Sequence, residues 1–104
     1  MNTDTDIVLD EKINIKVNEP KKYKVLFLND DTTPMEFVIE LLIGIFKHTE
    51  TTATQITMTI HNEGSGVVGV YSHEIAEQKA VEATNLSRSQ GFQLQIRLEV
   101  EWAN

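Results

Sequence analysis

Along residues 92–102, FQLQIRLEVEW, apolar and polar side chains alternate without a break. Phe92, Leu94, Ile96, Leu98, Val100 and Trp102 take one parity; Gln93, Gln95, Arg97, Glu99 and Glu101 take the other. A period of two predicts a strand with one buried and one wet face. Residues 23–28, YKVLFL, are instead apolar at consecutive positions. That suits a central strand covered on both faces. Helical spacing follows in 34–48, PMEFVIELLIGIFKH, where Phe37, Leu41 and Ile45 form one stripe and Val38, Leu42 and Phe46 an adjoining one. Thr33 as N-cap, Pro34 at the first helical position and Glu36 closing a capping box predict its start.

Residues 50–62, ETTATQITMTIHN, are rich in β-branched side chains, so strand competes with helix. Helix is preferred: Thr49 can cap it, Glu50 suits the first turn, Ala53, Ile56 and Ile60 recur at three and four, and Gly64 offers a stop. GVVGVY (66–71) predicts a short strand. Ser72 caps a third helix, HEIAEQKAVEATNLSRSQ, which Gly91 ends. The predicted order is therefore β-α-α-β-α-β, a single small α+β domain with helices packed on one sheet. Residues 1–21 are polar and end in NEPKK; Ile13, Ile15 and Val17 alternate weakly, but a flexible N-terminal extension is the expected reading. The core domain is expected to span 22–104.

Composition narrows the functions open to such a domain. Sixteen Asp and Glu stand against nine Lys and Arg, a net charge of −7. An acidic chain without a basic cluster is a poor partner for nucleic acid or for anionic membrane surfaces. The 104 residues contain no cysteine, which removes disulfides and thiol nucleophiles. No apolar run reaches the length of a membrane span, and MNTDTDIVLDEK lacks the order of a signal peptide. A cytoplasmic protein is the expectation.

Catalytic patterns fail in turn. Asn29-Asp30-Asp31 lacks the spaced ligands, glycine and distal Glu of a calcium loop. His48, His61 and His73 show no metal-ligand spacing, so no metal or cofactor is expected. The glycines make no phosphate loop, and no nucleophile elbow is present. What remains is an excess of acceptors where the first strand meets the first helix. Read alone, Asn29-Asp30-Asp31 is turn chemistry complementing a helix dipole, and His61 a helix-end residue. Spacing does place Met35 with Val38, and Thr57 with His61, on common helix faces.

The run NDDTTPMEFVIELL, an Asn-Asp-Asp-x-Thr-Pro-Met-Glu-Phe-Val pattern, resembles the signature of the ClpS family, adaptors for N-degron proteolysis. The similarity continues through Thr54-Gln55, His61 and GVYSHEIAEQK to the last strand, covering roughly residues 22 to 101. The resemblance implies a three-stranded antiparallel sheet with three helices, a fold also similar to the C-terminal domain of the ribosomal stalk protein. It implies no enzyme, but an adaptor that captures substrates with a free N-terminal Leu, Phe, Tyr or Trp for a Clp-type AAA+ unfoldase, ClpA-like or ClpC-like. By the same resemblance Asn29, Asp30 and His61 bind the α-amino group. Asp31, Thr33, Met35, Val38, Thr57, Ile60 and Leu94 form the side-chain pocket. Glu74 and Lys79 dock the unfoldase, and residues 1–21 are the extension that engages it.

Elementary chemistry agrees with those roles. An α-ammonium carries three donors, which the Asn29 carbonyl, the Asp30 carboxylate and a neutral His61 nitrogen could accept. Protonation of His61 would remove one acceptor and add repulsion, so affinity is expected to fall as pH falls. The chain departs from the family at Thr57, where a larger apolar residue, often Met, is common. Met58 lies about 100° round the helix and cannot substitute. A roomier, slightly more polar pocket floor is expected, favouring Phe, Tyr and Trp over Leu; a Thr whose methyl merely lines the wall is the alternative. Competing readings are a ribosomal-stalk-like protein-interaction domain, which would ignore free N-termini, and an acid/base enzyme using Asp30 or Asp31 with His61.

Overall fold

The computed structural model describes residues 21–102. In chain order these are β1 (Lys22–Leu28), α1 (Met35–Gly44), α2 (Glu50–Glu63), β2 (Ser65–Ser72), α3 (His73–Ser89) and β3 (Gln95–Glu101). The strands form one antiparallel sheet in the order β2-β1-β3. The expected α+β architecture and β-α-α-β-α-β order are both found. Residues 1–20 of the expected extension 1–21, with their alternating Ile13, Ile15 and Val17, lie outside the described residues.

Strand β1 is central, as its apolar run implies, but its two faces differ. Val25 and Phe27 are fully buried while Lys24, Leu26 and Leu28 are only half-buried. The core forms on the Val25–Phe27 side, from Leu41, Leu42 and Phe46, from Ala53 and Ile60 of α2, and from Ala76 and Ala83 of α3. Burying Leu42 alone removes enough apolar surface to stabilise the fold by roughly 1.5–3 kcal/mol. Register slips once, between Val25 and Leu26: Val25 faces Gly69 and Leu26 faces Val67, so Val68 is a bulge, almost wholly buried.

Helix α1 differs from expectation at both ends. Its N-cap is Pro34 and has no side-chain cap; the Thr33 hydroxyl donates instead to Asp30 Oδ2 at 2.9 Å, so the capping box does not form. The C-terminal end comes at Gly44 rather than His48. His48 N–H reaches back to the Leu42 carbonyl (3.0 Å), which needs Lys47 in the left-handed region, φ 64°. Two lysines satisfy the last carbonyls: Lys47 Nζ donates to Gly44 O and Lys79 Nζ to Ile45 O, both at 2.8 Å. The His48 imidazole Nε2 lies 2.6 Å from Val68 O and ties this corner to the bulge.

The other signals hold. Thr49 Oγ1 accepts from Thr52 N–H, and Gly64 closes α2 at φ 93°, its N–H on Ile60 O. Ser72 caps α3. Strand β3 starts later than its alternation predicts, because the segment before it is claimed by α3. Phe92 N–H donates to Ser87 O, and Arg88 Nη1 donates to the Phe92 and Leu94 carbonyls. No helix among the described residues is long and apolar enough to cross a membrane.

Candidate ligand-binding site

The end of β1 is anchored to the end of α2. Asn29 N–H donates to the Gly64 carbonyl at 2.9 Å, three residues beyond His61. This bond brings the acceptor-rich turn beside the last turn of α2, which no local sequence pattern could specify. Gly66, two residues on, lets β2 approach α2: a Cβ there would stand 2.9 Å from Ile60 Cγ1.

A small cavity, partly open to solvent, lies at this junction. Its wall includes Asn29, Asp30, Thr33 and Met35 from the turn and the start of α1, and Val38 one turn on. Thr57, Ile60 and His61 line it from α2, and Leu94 from the approach to β3. Burial grades across it. Val38, Thr57, Ile60 and Leu94 are each at most 6% exposed, whereas Asn29 and His61 are exposed and Asp30 and Met35 half-buried. The result is an apolar floor beneath a polar mouth, the arrangement that fixes a ligand's head while desolvating its tail.

Asp31 is exposed at the corner of the turn and does not line the cavity. The turn closes through Thr33 N–H to Asp30 O (3.2 Å), which puts Asp31 and Thr32 on its outside. Thr57 is buried, but its hydroxyl donates to Ala53 O at 2.8 Å. Its proton is committed within the helix, so the floor gains little donor character from it. Lys79 is half-buried; its ammonium bonds Ile45 O and lies 5.4 Å from the Tyr71 ring centre and 5.9 Å from that of Phe46. Glu74, by contrast, is exposed in the first turn of α3.

Two contributors escaped the sequence reading. Leu28 lines the cavity as the last residue of β1; it follows the run directly, but β-alternation alone assigned it no site. Thr32 binds Asp30 through both backbone and side chain. Its N–H donates to Asp30 Oδ2 at 3.0 Å, and its hydroxyl, very close, donates to the same oxygen. With Thr33 Oγ1 this makes three donors on Oδ2. Oδ1 takes no hydrogen bond from the described residues. Asn29 and His61 side chains likewise make none with them.

These donors set the charge of the site. The Thr32 hydroxyl is the largest influence holding the Asp30 carboxyl below its ordinary 3.8. Partial burial opposes it; the Thr33 hydroxyl, the Thr32 N–H and the Arg88 guanidinium add to it. Asp30 is therefore a carboxylate at neutral pH, fixed through one oxygen.

Residues 18–97 match the family of the ATP-dependent Clp protease adaptor protein ClpS. The chain belongs to the ClpS family. Relatives of this ClpS chain include adapter protein ClpS 1 of Rhodopseudomonas palustris, 46% identical over 86% of this chain and 87% of its own. Adapter protein ClpS 2 of Agrobacterium fabrum is 47% identical, with the same coverage. Among solved structures, Agrobacterium tumefaciens ClpS2 bound to L-phenylalaninamide is 49% identical with a TM-score of 0.76, covering 79% of this chain and 99% of that one. ClpS proteins are adaptors of a Clp protease rather than catalysts, and the acid/base-enzyme reading is set aside on that ground.

Proposed function

We propose that this chain captures proteins through a free, bulky apolar N-terminal residue, Leu, Phe, Tyr or Trp, and delivers them to a Clp-type AAA+ unfoldase, ClpA-like or ClpC-like. The observation that carries the reading is the cavity itself: Asn29, Asp30 and His61 at its polar mouth, above a floor of Val38, Thr57, Ile60 and Leu94. An α-ammonium would give its donors to the Asn29 carbonyl, to Asp30 Oδ1 and to a neutral His61 nitrogen. The Asp30 bond is charge-assisted. The adjoining side chain would enter the apolar floor, with Met35 at its edge able to adapt to different shapes. The phenylalaninamide bound by the solved relative has this same chemistry, an amine next to a benzyl group.

An internal or acetylated residue lacks the charge and two of the three donors, so acceptors at the mouth would lose water without replacement. In this reading the pocket residues are Thr33, Met35, Val38, Thr57, Ile60 and Leu94, with Leu28 added and Asp31 left out. Unfoldase docking falls to Glu74, exposed on α3, and to Lys79, with residues 1–21 as an extension toward the unfoldase and 22–104 as the core. The test is delivery. A reporter beginning with Phe should be degraded by a Clp protease faster when this protein is added, and no faster when Asp30→Ala replaces it. Equal acceleration by both would overturn the assignment.

A further inference from the structure

The family pattern Asn-Asp-Asp-x-Thr-Pro-Met leaves one position open, and in this chain Thr32 fills it. Its hydroxyl makes two bonds of opposite sense. It donates to Asp30 Oδ2 and accepts from Gln93 N–H at 3.0 Å, across 61 residues of sequence. A hydroxyl has one proton, so the Gln93 amide bond orients the oxygen and leaves that proton for the carboxylate. The polarity of the chain runs from amide to hydroxyl to carboxylate, and each bond strengthens the next.

We propose that Thr32 is a positioning residue for ligand binding, holding Asp30 Oδ2 so that Oδ1 faces the incoming amine and coupling that carboxylate to the segment that carries Leu94 of the pocket floor. The inference rests on the amine-binding reading above. Three observations carry it. All hydrogen bonds to the Asp30 carboxylate from described residues land on Oδ2, and two of the three come from Thr32. Gln93 immediately precedes Leu94, the cavity-lining residue that is 1% exposed. Finally, the segment 92–94 makes no ladder bonds of its own but is held by α3 through Ser87 and Arg88. The bridge therefore connects the two halves of the site: the acceptor for the ligand's charge and the apolar surface for its side chain.

Thr33 cannot replace this function. Its hydroxyl reaches Oδ2, but no bond links it to the β3 approach. Serine can, because it keeps the hydroxyl; valine cannot, although it keeps the shape.

The experiment measures binding of a Phe-starting fluorescent peptide to wild type, Thr32→Val, Thr32→Ser and Asp30→Asn, with the Asp30 carboxyl followed by NMR titration in each protein that retains it. Thr32→Val should weaken binding about tenfold, the scale of one hydrogen bond to a charged group. It should also move the Asp30 titration upward, a readout that general loosening of the turn would not single out from the other carboxylates. Thr32→Ser should restore both. If Thr32→Val binds as wild type while Asp30→Asn does not, the positioning role falls and the amine site stands. If Asp30→Asn binds as wild type, the amine site itself falls. If Thr32→Ser behaves like Thr32→Val in a folded protein, the methyl rather than the hydroxyl matters and the proposal is overturned.

Discussion

The Asn29 amide donates to the Gly64 carbonyl at 2.9 Å, joining the turn after β1 to the residue that ends α2. That single bond sets the turn beside the last turn of α2, where Asn29 and His61 line the same cavity. Gly64 can serve because it occupies the left-handed region, φ 93°. Replacing it by alanine should destabilise the fold by about 1 kcal/mol, since a side chain is strained there. Denaturant unfolding checks the stability. Peptide affinity should fall as well, because the strain is relieved by moving the carbonyl that holds Asn29. An affinity equal to wild type would separate the anchor from the site.

Gly66 supports the opposite wall. With Ile60 Cγ1 only 2.9 Å from where a Cβ would stand, Gly66→Ala must push Ile60 or β2 aside. A cost of about 1–3 kcal/mol is expected from overpacking of this kind. Thermal unfolding measures it, and narrowing of the cavity should appear as a greater loss of affinity for Trp- and Tyr-starting peptides than for Leu-starting ones.

Thr57 sets the size of the floor. Its hydroxyl is occupied by Ala53 O, so its influence on the pocket is one of volume more than polarity. Thr57→Met fills space at the floor, and should lower affinity for Tyr- and Trp-starting peptides several-fold relative to Leu. Fluorescence titration of the four peptides decides it; unchanged relative affinities would remove Thr57 from the specificity argument.

Acid exposes the role of Asp30 in the turn. Its folded-state carboxyl lies below the ordinary 3.8 through bonds from Thr32 and Thr33 that the unfolded chain lacks. The ionised form therefore stabilises the fold above the unfolded value, and that contribution is lost as pH falls through the lowered folded value. Unfolding measured from neutral pH to below that point should show a smaller acid-induced loss in Asp30→Asn than in wild type. Identical pH profiles would mean that these bonds do not discriminate between the two protonation states.

The sequence revealed much of this fold because its signals were local. Thr49, Ser72 and Gly64 perform the capping that their side chains or their lack of one imply. The misreadings share another cause. Thr33 looked like an N-cap because capping chemistry and carboxylate chemistry use the same hydroxyl, and Asp30, three residues away, won it. The apolar stripe of α1 continues to Phe46, yet the helix stops at Gly44, where Lys79 Nζ donates to Ile45 O and the His48 imidazole lies against Val68 O. Asp31 shares the motif of the cavity residues but is exposed and is not among those that line the cavity. Thr32 carries no special pattern; its importance depends on Gln93, and only the folded chain brings the two together.

In the proposed function this chain reads a free N-terminus together with the side chain behind it. Binding of a Phe-starting peptide beside its N-acetylated twin tests that directly. Acetylation removes the charge and two of three donors while leaving the benzyl group, so the acetylated peptide should bind at least roughly a hundredfold more weakly. Equal affinity of the two peptides would contradict the account.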